Sequence, residues 1–367
     1  MHVNREPQPL LRYSGKVGEI YGVFLKNLLL TIVTFGFYRF WAISRMRRYV
    51  WSSMKFQDER FEYTGTGGEL FKGYLIAFAA VFGTFLFAMV LSVVLTKVTG
   101  MSTIGALPII AAEIFLVVVA LGAYFSAQRY RLSRTLWHGI RGGMSGSALR
   151  YGVIALGYGV VAMLTLGQLI PWLTVRLAER RINASSFGGE RFHFEGRAGQ
   201  LYLAFLGTFA GIVALFAVLI AIFFKSFFAL FMHSLQGGAL PDGAHVALSI
   251  LLCYFLFLVG ALLIQCAYLA LVSRHIVGNT TLGRQLQFSS RVTGRGLLVL
   301  IAGNLALVLF TLGLGYPMAL HRSLRFTAAM LFVQGNVELG SLTQNLETVP
   351  RTGEGMLNVL DHGGSVI

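Results

Sequence analysis

Charge is scarce in this chain. Lys, Arg, Asp and Glu make up 12% of its 367 residues, against about 25% in a soluble domain. That shortage excludes an ordinary water-soluble globule. Acidic side chains are the rarer sign, with 15 Asp and Glu against 30 Lys and Arg, a net charge of +15. Cysteine is nearly absent. Cys253 and Cys266 fall in one apolar run, on well-separated faces of one helix, which excludes a bridge between them. The eight histidines show no HExxH or other paired metal spacing. No Ser/His/Asp or Cys/His set stands out, so no enzyme and no cofactor are expected. The first eleven residues, MHVNREPQPLL, carry two prolines and no apolar core. A cleavable signal peptide is not expected.

Apolar side chains take the place of charge. They reach 56% of the chain, with a mean hydropathy of +0.69. Six windows (73–96, 98–128, 151–175, 198–224, 246–273 and 296–321) hold at most one charged residue. Each exceeds the roughly 20 residues a helix needs to cross a bilayer. Lys and Arg cluster at the window ends, where they flank a membrane rather than bind nucleic acid.

The sequence also repeats itself. "TFGFYRFWAISR" (34–45) recurs as "TLGQLIPWLTVR" (165–176) and "TLGLGYPMALHR" (311–322). Thr34 and Gly36 thus match Thr165 and Gly167, and Thr311 and Gly313, and Arg45 matches Arg176 and Arg322. Asn27 and Arg48 match Asn304 and Arg325. A second motif, "FEYTGTGGELF" (61–71), matches "FHFEGRAGQLY" (192–202). The unit reads as short strand, small-residue turn, apolar helix, Thr-x-Gly break, basic helix, short hairpin. The expected fold is an all-α polytopic membrane protein built from internal repeats at about 12–128, 129–273 and 274–345. Short β-hairpins lie on its cytoplasmic face, some pairing with each other, and a flexible tail covers 346–367. Gly-rich "GIRGGMSGSA" (139–148) reads as a turn before a helix, since it lacks the Lys-Ser/Thr of a phosphate loop.

These motifs, with "NLLLTIVTFGFYRFWAISRMRRY" and "RFEYTGTGGELFKGYL" the most specific, resemble the YjgN family of bacterial inner-membrane proteins over about residues 12–336. The resemblance implies a multi-pass inner-membrane protein and transfers no catalytic or ligand residue. Two copies depart from the family's Pro-Trp-Ala after the break, with Phe40-Trp41-Ala42 and Pro317-Met318-Ala319. A tryptophan-specific role at that position is not implied.

Charge counting bears on which segments cross. If seven apolar segments cross, the two sides hold 14 and 16 Lys/Arg, which violates the positive-inside rule. If the three Thr-x-Gly segments enter and return, 28 of 30 fall on one side and only Lys97 and Lys225 on the other. Windows 151–175 and 296–321 are nevertheless long enough to span. Four spans with three re-entrant segments is the favoured arrangement, and seven spans the alternative.

Glu113 is the one carboxylate well inside an apolar window, a site for a proton or cation, or a neutral or Lys97-paired group near the outer surface. Asn27, Asn304 and Gln265 are candidate polar intramembrane groups, for permeation or for hydrogen bonds between helices. Arg45, Arg48, Arg176, Arg322 and Arg325 are candidate interfacial anchors for acidic lipid headgroups, or a basic ring at a vestibule. Thr34, Gly36, Thr165, Gly167, Thr311 and Gly313 mark helix breaks. The residues favour a transporter or channel-like protein, with a non-catalytic scaffold that binds lipid, a second copy of itself or another protein as the alternative.

Overall fold

The protein is described by a computed structural model covering residues 7–235, 243–283, 286–335 and 343–347. After a short strand β1 (Gln8–Pro9), the order strand, helix, helix, strand runs five times among the described residues. The first pass is β2 (Arg12–Tyr13), α1 (Val17–Val33), α2 (Arg39–Ser53) and β3 (Met54–Phe56). The second is β4 (Glu59–Tyr63), α3 (Gly67–Thr99), α4 (Ser102–Ser133) and β5 (Thr135–Trp137). The third is β6 (Ile140–Met144), α5 (Ala148–Leu164), α6 (Ile170–Ala184) and β7 (Ser185–Phe187). The fourth is β8 (Glu190–Phe194), α7 (Gly199–Leu235), α8 (Gly243–Gly278) and β9 (Thr280–Leu282). The fifth is β10 (Leu286–Ser290), α9 (Gly294–Phe310), α10 (Tyr316–Met330) and β11 (Leu331–Gln334). Helix pairs of 17 and 15 residues thus alternate with pairs of 32 to 37.

The strands overturn the expected all-α fold. They do not form separate hairpins but one 11-stranded antiparallel sheet, ordered β1-β11-β10-β9-β8-β7-β6-β5-β4-β3-β2. Its two edge strands, β1 and β2, are joined by Leu10 and Leu11 alone. The Leu10 N–H donates to the Leu331 carbonyl at 2.9 Å. The sheet is therefore a nearly closed ring. An isolated hairpin would leave unpaired N–H and C=O groups on both edges, and each edge here meets the next hairpin. Tight turns make this possible. Gln57 and Asp58 (φ 48° and 67°) and His138 and Gly139 (φ 50° and 73°) each form a two-residue turn with both φ positive, the twist-matched hairpin form. The glycine-rich stretch expected as a turn supplies β6 before the chain enters α5. Gly142 and Gly143 suit it, because a Cβ would meet the Leu132 carbonyl at 2.9 Å and the Asn345 side chain at 2.5 Å.

The ring is filled. Phe56, Trp137, Leu282, Leu286 and Val333 form a buried cluster, with Phe61, Phe187, Phe192 and Phe288 packed against it. Trp137 is 1% exposed, and its indole N–H donates to the Phe56 carbonyl at 3.1 Å.

Four helices are long and apolar enough to cross a membrane: Gly67–Thr99, Ser102–Ser133, Gly199–Phe224 and Ala247–Gly278. At most 17% of each most apolar window is buried inside the protein. The other two long windows, 151–175 and 296–321, are broken by turns into shorter helices. A capping box starts α3, Thr66 accepting from the Glu69 N–H, and Gly100 ends it at φ 68°. Helix α5 lies against α4 through glycines. A Cβ at Gly152 would collide with the Val118 carbonyl, and one at Gly122 would sit 2.6 Å from that of Ala148. Such close backbone approach is how helices pack in lipid. Of the expected tail, only 346–347 fall within the described residues, and the Lys225 side chain lies outside them.

Candidate functional site

The three Thr-x-Gly segments share one geometry. Each short apolar helix ends in a Schellman turn, in which Gly36, Gly167 and Gly313 donate to the carbonyls of Thr31, Ala162 and Val308 at 2.7–2.8 Å. The threonines bond back into their own helices, Thr34 to Leu30, Thr165 to Val161 and Thr311 to Leu307. The left-handed residue before each glycine is bulky: Phe35, Leu166 and Leu312, with φ of 50–52°. Large side chains rarely adopt that conformation, which costs roughly 1–2 kcal/mol. Among the described residues nothing covers them, for Phe35 is 95%, Leu166 84% and Leu312 93% exposed.

Asn27 and Asn304 tie the first and last short hairpins together. Asn27 is 5% exposed, and its Nδ2 donates to the Ala42 carbonyl at 3.3 Å. Asn304 Nδ2 donates to the Ala319 carbonyl at 3.2 Å and to Ser323 Oγ at 2.9 Å. Each Oδ1 is buried without a partner among the described residues. Through the Thr-x-Gly alignment, Tyr158 holds the corresponding place in the middle hairpin. Its ring stands edge-on to Trp172, centroids 4.8 Å apart. With α5 drawn onto α4 by its glycines, the space between α5 and α6 opens as a groove of about 730 Å³. Arg150, Arg176, Glu179, Arg180, Tyr158 and Trp172 are among its lining residues.

The other candidates are dispersed. Arg45 lies 5.4 Å from the Tyr38 ring, and Arg48 donates to the Gly65 carbonyl at 3.1 Å. Arg176 pairs with Glu179 at 2.8 Å, which raises its pKa. Arg322 lies over Gly303, and Arg325 is exposed. Glu113 is exposed on α4, and no ion pair joins it to Lys97 among the described residues. Gln265 is half-buried on α8.

A polar cluster at the base of α2, α3 and α4 escaped the sequence reading. Arg47 is 1% exposed; its Nη1 donates to the Tyr63 hydroxyl at 3.3 Å. Glu69 accepts from Tyr130 OH at 2.7 Å and from Arg134 Nη2 at 2.6 Å. One signal was available for Arg47. With Phe40, Ser44 and Trp51 it follows the i, i+4, i+7, i+11 spacing of an inward helix face. A second latch joins the closing strand to α10, where Tyr13 OH meets His321 Nδ1 at 3.1 Å. Burial, then the Arg325 charge, lowers the His321 pKa. Burial and Tyr49 raise that of Tyr13.

Spanning helices, apolar hairpin tips and a strand ring at their bases define a multi-pass membrane protein of mainly helical architecture. The chain belongs to the family described as bacterial protein of unknown function (DUF898), whose pattern matches residues 8–359. It is 27% identical over 380 residues to the inner membrane protein YjgN of Salmonella typhimurium, covering 91% of each chain. It is 28% identical over 131 residues to the YjgN protein of Escherichia coli O157:H7, covering 35% of this chain and 29% of that one. No solved structure matches. Its membrane is the bacterial inner membrane, as the relatives' names and the four apolar helices agree.

Proposed function

We propose that this protein is a non-catalytic membrane scaffold that sets three short helix hairpins into the cytoplasmic leaflet and binds the acidic headgroups around them. The observation that carries the reading is the set of bare tips. Phe35, Leu166 and Leu312 hold a costly backbone conformation and are covered by no group among the described residues. Burying such a side chain in hydrocarbon is worth roughly 1.5–3 kcal/mol, enough to offset that cost. A helix of 17 residues reaches about 25 Å, so each tip stops within a core of about 30 Å.

Strand pairing supports the same topology. β2 pairs with β3, β6 with β7 and β10 with β11, so both ends of every short hairpin meet one ring. Single crossings by α1, α5 and α9 would send paired strands to opposite sides of the bilayer. The transporter reading has less behind it. The ring is packed with aromatic side chains, Glu113 faces outward, and the Nδ2 groups of Asn27 and Asn304 hydrogen-bond between helices.

Single-cysteine accessibility in intact cells tests the reading. With Cys253 and Cys266 replaced, cysteines go at the exposed ring positions Asp58, His138 and Gln287. An impermeant thiol reagent is expected to label none of them until the membrane is permeabilised. Outside labelling of any one would overturn the shared cytoplasmic ring, and with it the scaffold.

A further inference from the structure

The middle hairpin differs from its two neighbours in a way that specifies a ligand. We propose that the α5–α6 groove holds the phosphodiester headgroup of one acidic phospholipid, with Arg150 and Arg180 as its phosphate ligands. This deepens the lipid-binding reading above and rests on it.

The groove is graded along its length. Arg150 lies in the first turn of α5, and Arg180 and Asn183 lie near the end of α6. Both helix ends adjoin the ring, so this is the headgroup level. Tyr158 and Trp172 lie further toward the tip. A basic floor that turns aromatic and apolar toward the bilayer matches a lipid, with its charge at one end, better than a free anion.

The cations are not equivalent. Arg176 is neutralised by Glu179 at 2.8 Å. Outside the groove lining, Arg181 lies 4.8 Å from the Tyr124 ring, and Arg129 donates to the Gly146 carbonyl at 3.2 Å. Of the arginines that line the groove, Arg150 and Arg180 have no carboxylate partner among the described residues. Arg180 is held in place by Tyr158, with Nη2 3.4 Å from its hydroxyl and the guanidinium 6.0 Å from its ring. An oriented guanidinium suits a phosphate's oxygens. In the two other short hairpins an asparagine hydrogen-bonds across the helix pair at the level Tyr158 occupies here.

The test is bound-lipid analysis of the full chain after exchange into fresh detergent. The wild type is expected to retain about one acidic phospholipid per chain, and Arg150→Ala/Arg180→Ala to lose it. Arg60→Ala/Arg191→Ala, a control at exposed strand positions away from the groove, is expected to keep it. Arg180→Lys keeps the charge without the fork and is expected to retain a reduced share. If the groove variant retains lipid like the wild type, the groove assignment is overturned while lipid binding elsewhere survives. If the wild type retains none, both fall. If excess inorganic phosphate empties the groove as fast as acidic-lipid micelles do, the site takes phosphate and the lipid assignment is wrong. Unchanged melting of each variant in detergent guards against misfolding, and a variant that melts early is replaced by Arg180→Gln alone.

Discussion

At the scale of single residues, the strongest interactions lie where a charged group has left water with its partners. Glu69 serves α3 twice, in its capping box and as acceptor for Tyr130 and Arg134. The Glu69 and Arg134 side chains are about a quarter and a fifth exposed, so solvent screens them only in part. Glu69→Ala removes the carboxylate that Tyr130 and Arg134 share and is expected to cost about 3 kcal/mol, read as a lower melting temperature in detergent. Glu69→Gln keeps an acceptor and should cost less. His321 predicts a pH response. Its folded pKa lies below the ordinary value, so the unfolded chain takes up the proton first. Stability from the neutral ring is present above about pH 6.5 and falls as pH drops below it. Melting temperature is expected to decline through that window, and the decline to flatten in His321→Gln. An unchanged pH profile in that variant would remove His321 as the cause.

At the scale of elements, helix length and break position were legible because both are local. Threonine two residues before glycine marks each turn, and all three turns close with the same hydrogen bonds. The bulky residue between them was visible in the sequence without its meaning. Only the structure reveals that it is both left-handed and bare. If these tips sit in hydrocarbon, a bimane dye on Leu166→Cys will be quenched by acyl-chain-brominated lipid about as strongly as one on Leu86→Cys, in the exposed mid-length of α3. Quenching only by soluble iodide would place the tip in water. The repeated arginines were equally legible as basic residues, but they do not converge. Arg45, Arg176 and Arg322 each meet a different neighbour within their own hairpin, a ring, a carboxylate and a glycine.

At the scale of the whole molecule, the ring holds the helix pairs in one frame. Its strands are two to five residues long, and a lone hairpin of that size is marginal in water. Joined into a circuit they bury a shared aromatic core. Trp137→Ala is expected to cost about 3–5 kcal/mol and to loosen every hairpin, seen as faster proteolysis of the chain in detergent. Loss confined to α3–α5 would mean the sheet does not act as one unit.

The sequence by itself determined the membrane, the long helices, the breaks and the strand character of the alternating aromatic segments. Each follows from hydropathy, periodicity or turn chemistry within some 20 residues. Only the tertiary structure decided that the hairpins close into one ring, that Arg47 is buried, and that the middle pair opens into a groove. Closure depends on β1 meeting β11 across more than 300 residues of chain, and no local pattern encodes that partner. The groove depends on α5 leaning on α4 through Gly152 and Gly122, a contact between two helices whose sequences each read as ordinary apolar segments.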